Sequence, residues 1–132
     1  MGENIFFVVA QKALIKKENK YLILKRADHS KNAPAYWDLP GGKLENGENA
    51  AESLAREIKE ETNFELKKAN TIFTFTDVVK EGHLFLVVYE CEVNGGLKLS
   101  NDHSEFEWLE RNEILEKEKL MPFLKKYLEG LV

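Results

Sequence analysis

A glycine pair followed by an acidic helical segment, at residues 41–62, limits the possible folds of this chain most strongly. Asn49 is a favourable N-cap, and Glu52, three residues later, completes a pattern like a capping box. Apolar residues then recur at the i, i+3, i+4, i+7 spacing of one helix side: Ala51, Leu54, Ala55 and Ile58. The sequence therefore predicts a helix from residue 49 to about residue 62 that buries one side.

Three glutamates occupy a second side of this helix. Glu57, Glu60 and Glu61 lie at i, i+3 and i+4, offset from the apolar stripe. Like charges at this spacing destabilise a helix by about 0.2–0.5 kcal/mol per pair. Carboxylate oxygens are the ligands that Mg²⁺ and Mn²⁺ prefer, so a divalent cation would turn this repulsion into attraction. Solvated surface is the alternative, because Arg56 is spaced to pair with Glu52 and Glu60.

Strand-like segments flank the helix on both sides. Apolar and β-branched residues dominate residues 5–15 and 21–24, and the polar turn 16–20 between them predicts a β-hairpin. Further strands are predicted at residues 36–39, 71–79, 83–93 and 105–109, with turns at 81–82 and 94–96. Residues 119–131 have the periodicity of an amphipathic helix. This order predicts an α+β fold, with a mixed β-sheet packed between helices.

Composition and charge exclude several classes of protein. The 132 residues suit one domain, residues 1–132, and the net charge of −4 argues against a nucleic-acid-binding surface. Cys91 is the only cysteine, which favours a reducing compartment. The apolar run at residues 5–10 is too short to span a bilayer. We expect a soluble cytoplasmic protein without a nucleic-acid or membrane partner; monomer and homodimer stay open.

The spacing of charges and glycines around the helix resembles the Nudix box, G-x5-E-x7-R-E-U-x-E-E-x-G-U, where U is a bulky apolar residue. Residues 42–64 read GKLENGENAAESLAREIKEETNF, and every defined position matches except Asn63, which stands where the family has glycine. Asparagine is the next best residue after glycine in the left-handed conformation, so this change is mild. The segments 24–26 and 37–43 and the strand with Trp108 also resemble the wider Nudix domain, which extends the resemblance over most of the chain.

The resemblance implies a Nudix fold and metal-dependent hydrolysis of a pyrophosphate bond in a nucleoside diphosphate-linked small molecule. Mg²⁺ is the implied cofactor, with Mn²⁺ as an alternative. A MutT-like activity, cleaving a (deoxy)nucleoside triphosphate to monophosphate and pyrophosphate, is the leading expectation. The alternatives are ADP-ribose, dinucleoside polyphosphates, nucleotide sugars and a non-catalytic nucleotide-sensing module. The first two are disfavoured because residues 41–121 contain no proline and residues 71–81 no tyrosine, which mark those subgroups.

The resemblance also implies roles for residues of the box. Glu57, Glu60 and Glu61 correspond to metal-binding carboxylates, and the Gly41 carbonyl corresponds to a backbone ligand. Glu57 is further implied to act as the general base or to orient it. Arg56 would hold Glu57 in place through a charge-assisted hydrogen bond.

Candidates outside the box complete the predicted site. A further metal ligand is expected on a later strand, with Glu105 as first choice and Glu107 as the alternative. Arg26, at a strand end, and Lys43, in the glycine loop, are candidate phosphate contacts, with solvated surface as the alternative for each.

The remaining notable side chains are given structural roles. The three histidines show no metal-ligand spacing and are expected at the surface: His29, His83 and His103. Trp37 and Trp108 lie in strand-like segments and are expected to pack against the core. Cys91, inside an apolar strand, is expected to pack as a small hydrophobe.

Overall fold

A computed structural model describes residues 6–80 and 82–130 as a mixed β-sheet with helices on both faces. The strands are β1 (Phe7–Lys17), β2 (Lys20–Arg26), β3 (Trp37–Asp38), β4 (Gly41–Lys43), β5 (Glu65–Val79), β6 (Gly82–Asn94) and β7 (His103–Leu109). The helices are α1 (Ala50–Thr62), α2 (Arg111–Leu115) and α3 (Pro122–Gly130). The predicted α+β architecture, a mixed sheet between helices, is confirmed.

Strand β1 joins the two halves of the sheet. It runs parallel to β6, from Phe7 opposite His83 to Ile15 opposite Cys91, and β5 pairs antiparallel with the far side of β6. Its other side pairs antiparallel with β4 and, only at its end near Lys16, with β2. Strand β2 in turn pairs with β3 and β7. The predicted hairpin of β1 and β2 is therefore present but limited to its tip.

Two hydrophobic clusters fill the two faces of the sheet, because successive residues of a strand point to opposite sides. Leu14 of β1 belongs to the first cluster, which α2 and α3 cover, and Ile15 belongs to the second, which α1 covers. Helix α1 buries Leu54 and Ile58, two residues of its predicted apolar stripe. Helix α3 buries three residues of its own predicted stripe: Phe123, Leu124 and Leu128.

The segment before α3 is tied to β3. The Trp37 N–H donates to the Lys119 carbonyl at 2.7 Å, and the Met121 N–H donates to the Trp37 carbonyl at 3.0 Å. Trp37 is buried in the first cluster and Trp108 packs against the second, as predicted for both. The C-terminal helix is thereby held beside the short strand that leads into the glycine pair.

Several elements differ from their predicted bounds. Strand β5 starts at Glu65, not at residue 71, because its polar first half is an exposed sheet edge that needs no apolar alternation. Residues 41–43, expected in the glycine loop, pair with β1 as β4. Helix α2 was not predicted, since five residues are too few to show helical periodicity. Helix α3 begins at Pro122, consistent with the preference of proline for the first helical turn.

Some sequence predictions fall partly beyond the described ranges. Ile5, Glu81 and Leu131, predicted in a strand, a turn and a helix, lie outside the described residues. Within residues 6–80 and 82–130, no helix is long and apolar enough to cross a membrane. Cys91 is buried and free, and burial raises the pKa of its thiol to about 12, so it packs as a small hydrophobe as predicted.

Candidate active site

The glycine pair is required by close packing on both of its sides. Gly41 has φ +140°, and a Cβ there would collide with the Gln11 carbonyl oxygen on β1. At Gly42, a Cβ would lie 2.9 Å from the Glu57 carboxyl group. Only glycine lets β4 lie against β1 while a carboxylate of α1 reaches the same turn.

Two of the three predicted glutamates of α1 meet at this turn. The Glu61 side chain is 8% exposed, and its carboxyl oxygens accept from the Gly41 N–H at 3.3 and 3.4 Å. Burial raises the pKa of Glu61 to about 9, and the neighbouring Glu57 carboxyl group adds to the rise. A buried and a half-buried carboxyl group beside a glycine backbone fit a hard divalent cation, whose charge would offset their repulsion.

The third glutamate points elsewhere. Glu60 is 57% exposed and accepts from Arg56 at 3.2 Å. Arg56 also donates to Glu48 at 2.9 Å and to Glu57 at 3.4 Å, so the predicted contact between Arg56 and Glu57 is present. Among the described residues, no group of three or more His, Cys, Asp or Glu side chains is arranged to hold a metal ion. The structure brings together two of the three predicted carboxylates and the Gly41 backbone.

A cavity of about 770 Å³ opens beside Glu57 and Glu61. The apolar part of its wall, called the apolar end below, comes from β1, β6 and the start of α3; the lining side chains there include Val8, Ala10, Leu84, Leu86, Met121 and Phe123. This volume is within the range of about 300–1,000 Å³ typical of small-molecule sites. The cavity therefore suits a small molecule with an apolar part.

Both predicted phosphate contacts border this cavity. Arg26 lines the wall and donates to the Asn32 carbonyl at 2.9 Å and to Ser30 Oγ at 3.2 Å. It also donates to Asp38 at 3.2 Å, so it shapes the loop between β2 and β3. A guanidinium has five N–H donors, and these three bonds leave two for a ligand. Lys43, on β4, is exposed at the cavity wall.

A buried ion pair whose two side chains line the cavity was missed by the sequence analysis. Lys12 of β1 donates to Asp38 of β3 at 2.9 Å, and both side chains are buried. The sequence shows only a lysine within a largely apolar strand. Its partner cannot be identified before the pairing of the strands is known.

The prediction that His103 lies at the surface is wrong. Its side chain is 7% exposed at the cavity wall, and its Nε2 lies 3.7 Å from Glu61 Oε1. Burial lowers the pKa of His103 to about 4, so the imidazole is neutral at pH 7. The spacing of the histidines in the sequence could not reveal this position. His103 begins β7, and the path of that strand brings its side chain close to Glu61 on α1. His29 and His83 are exposed, as predicted.

Comparison with known proteins decides the family. The profile of the NUDIX domain matches residues 7–131. The chain belongs to the Nudix hydrolase family. The crystal structure of a MutT protein from Methanosarcina mazei Go1 has a TM-score of 0.86 at 28% identity, covering 98% of this chain and 95% of that one. The predicted Nudix fold is confirmed.

Two curated relatives of this Nudix protein have named activities. An ADP-ribose pyrophosphatase of Methanocaldococcus jannaschii is 37% identical over 111 residues, which cover 80% of this chain and 63% of that protein. The matched segment thus spans less than two thirds of that relative. The nucleoside triphosphatase NudI of Escherichia coli is 28% identical over 114 residues, covering 77% of this chain and 81% of NudI.

The two candidates for a further metal ligand, Glu105 and Glu107, lie apart from the other predicted site residues. Glu105 lies opposite Lys25 in the sheet, forms an ion pair with it at 3.2 Å and is exposed to solvent. Glu107 pairs with Lys117 at 2.7 Å. Neither is among the residues that line the cavity. Asp102, which the sequence analysis did not single out, lines the cavity just before β7.

Proposed function

We propose that this Nudix protein hydrolyses a pyrophosphate bond in a nucleoside diphosphate-linked small molecule, with Mg²⁺ or Mn²⁺ as cofactor. One observation carries the proposal: Glu57, Glu61 and the Gly41 backbone meet at one end of a cavity whose other end is apolar. The names of the two relatives, a pyrophosphatase and a triphosphatase, support the same class of reaction.

The roles of the chain's own residues follow from their positions. Glu57, Glu61 and the Gly41 carbonyl would hold the cation, and Glu60 would join them only after leaving Arg56. When bound, Mg²⁺ supplies polarisation of the phosphate oxygens and a lower pKa for the attacking water. Glu57 accepts the proton of that water or orients the group that does, and Arg56 holds Glu57 through its hydrogen bond.

The substrate is bound by the remaining cavity wall. Arg26 and Lys43 contact its phosphates, and the apolar end accommodates the nucleoside. A (deoxy)nucleoside triphosphate, cleaved to monophosphate and pyrophosphate, is the leading substrate. ADP-ribose is the second candidate, because the relative with 37% identity is named for it. We place the activity in the cytoplasm, since Cys91 is the only cysteine and is a buried free thiol.

A substrate panel with Mg²⁺ tests the proposal. Wild-type protein is incubated with nucleoside triphosphates, ADP-ribose, dinucleoside polyphosphates and nucleotide sugars, and the products are separated by ion-exchange chromatography. Pyrophosphate with a monophosphate identifies the leading substrate, and AMP with ribose 5-phosphate identifies ADP-ribose.

Loss of the Glu57 carboxylate should abolish most of this turnover. Glu57→Gln is expected to lower kcat by about 10²–10⁴-fold, the usual effect of removing a general base. Glu52→Gln, exposed in the first turn of the same helix, is the matched control and should match wild type. Equal turnover by wild type and Glu57→Gln would remove the catalytic assignment.

A further inference from the structure

Lys12 is a buried cation that the reaction, as proposed, does not use. It is 7% exposed, and its Nζ donates to Asp38 Oδ2 at 2.9 Å and to the Leu39 carbonyl at 3.4 Å. Asp38 is fully buried, and its Oδ1 accepts from the Leu39 N–H at 2.7 Å. Lysines are almost never this buried unless paired, so this position carries a specific pairing. The pair thus fixes the end of β3, three residues before Gly41.

The same carboxylate connects Lys12 to Arg26. Asp38 Oδ2 accepts from Arg26 Nη1 at 3.2 Å, in addition to its bond from Lys12. Three strands, β1, β2 and β3, thus place two cations on one buried carboxylate, and all three side chains line the cavity. The cluster has one net positive charge, which suits a wall that faces an anionic ligand.

Lys12 affects how many hydrogen bonds the Asp38 carboxylate needs from Arg26. With Lys12 present, Asp38 needs only one bond from the guanidinium, and the other Arg26 contacts go to the Asn32 carbonyl and to Ser30. Without Lys12, a buried carboxylate would require a second bond, and the bidentate arrangement is the strongest that arginine offers. The guanidinium would then turn towards Asp38 and away from both the loop and the ligand.

We propose that Lys12 is a positioning residue. By sharing Asp38 with Arg26, it keeps the Arg26 guanidinium turned towards the part of the cavity where the phosphates of the substrate would bind. The inference rests on the proposed function, which gives Arg26 a phosphate to bind. Lys12 itself does not contact the reacting atoms in this role.

Kinetics with a matched lysine pair test the role. Lys12→Met removes the ammonium and keeps the apolar stem, and it should lower kcat/KM by about 10–100-fold, mostly through KM, as expected for a displaced binding group. Lys17→Met, at the exposed end of β1, should leave both constants unchanged. Lys12→Gln keeps an N–H donor, so we expect it to fold and to lose less kcat/KM. It replaces the methionine variant if that variant does not fold. Wild-type kcat/KM in Lys12→Met, or in Lys12→Gln where that variant is used, would overturn the proposal.

A double-substitution cycle separates positioning from a general folding defect. Arg26→Lys is introduced into wild type and into Lys12→Met, or into Lys12→Gln if needed. If Lys12 acts through Arg26, the second substitution adds little to the loss in kcat/KM, because the arginine is already displaced. Losses that simply multiply would show two independent effects and would overturn the inference.

A nuclear magnetic resonance measurement needs no catalytic activity. The Arg26 Nε–H is bonded to the Asn32 carbonyl, so its signal should exchange slowly with water, and it is assigned by its loss in Arg26→Lys. We expect fast exchange in the Lys12 variants and no change in Lys17→Met. An unchanged Arg26 signal would overturn the positioning role even if hydrolysis is found. A changed signal in a protein that hydrolyses no nucleotide would reject the proposed function alone.

Discussion

Glu61 is buried beside a second carboxyl group, that of Glu57, and this has a consequence for stability. Its pKa is raised from 4.5 to about 9 in the folded protein, first by burial and then by Glu57. The folded state therefore keeps a proton that the unfolded state releases over this range of pH. By linkage, a raised pKa favours the folded state at low pH, and this contribution is lost as the pH rises towards the folded value.

The metal-free protein should accordingly lose stability between about pH 6.5 and pH 9. Below that range, the lowered pKa of His103 gives a slope of the opposite sign. The slope from Glu61 alone is at most about 1.4 kcal/mol per pH unit in the free energy of unfolding. Urea unfolding at several pH values in the presence of a chelator measures it. Glu61→Gln should remove the slope, whereas Glu60→Gln, exposed on the same helix, should retain it. An identical slope in wild type and Glu61→Gln would contradict the assignment.

Asp102 and Glu105 differ in their access to the cavity, and this gives a second prediction. Asp102 lines the cavity wall next in sequence to His103, whereas Glu105 is paired with Lys25. Asp102→Asn should raise the Mg²⁺ concentration for half-maximal activity by at least about tenfold, the effect of losing a group that supports a metal. Glu105→Gln should leave it unchanged. The reverse order in a Mg²⁺ titration would restore Glu105 as the ligand.

At the scale of elements, helix α1 ends as its sequence predicts. Asn63 has φ 68° and ψ 3°, and its N–H donates to the Lys59 carbonyl. The left-handed conformation that the family reserves for glycine is thus adopted by asparagine, whose Nδ2 also donates to the Gly96 carbonyl at 3.1 Å.

The stability of variants at Asn63 should depend on how well the new residue adopts this left-handed conformation. Asn63→Ala is expected to lower the free energy of unfolding by about 1–2 kcal/mol, because alanine tolerates the left-handed region poorly. Asn63→Gly should stay within about 0.5 kcal/mol of wild type, since glycine gains in backbone conformation and loses only an exposed side-chain bond. Urea denaturation of the two variants provides the comparison, and equal losses would contradict the role of the backbone angle.

Elements with local signals were predictable, and elements set by distant partners were not. Helix α1 has its cap, stripe and end within one segment, and Asn49 accepts from the Glu52 N–H as its spacing predicts. Strand β4 exists only because β1 lies beside it, and the polar start of β5 is a strand only because β6 pairs with it. Lys12 and His103 share this limit, since their burial depends on strand pairing.

At the scale of the whole molecule, the Nudix box describes only one end of the site. Its residues are close in sequence and could be identified directly. The apolar end combines positions as far apart as Val8 and Phe123, and no periodicity distinguishes a strand residue facing a cavity from one facing the core. Phe123 does both, because it is buried in the first cluster and also borders the cavity.

The junction of β3 with the segment before α3 has a practical consequence for measuring ligand binding. Trp37 lies one residue from Asp38, and the Lys117 ammonium sits 4.4 Å from its ring centre. An indole so placed is an intrinsic fluorophore next in sequence to the cavity-lining Asp38, and its emission depends on the charges around it. Trp108, on the opposite face, supplies an internal reference. Titrations with nucleotides therefore need no attached dye.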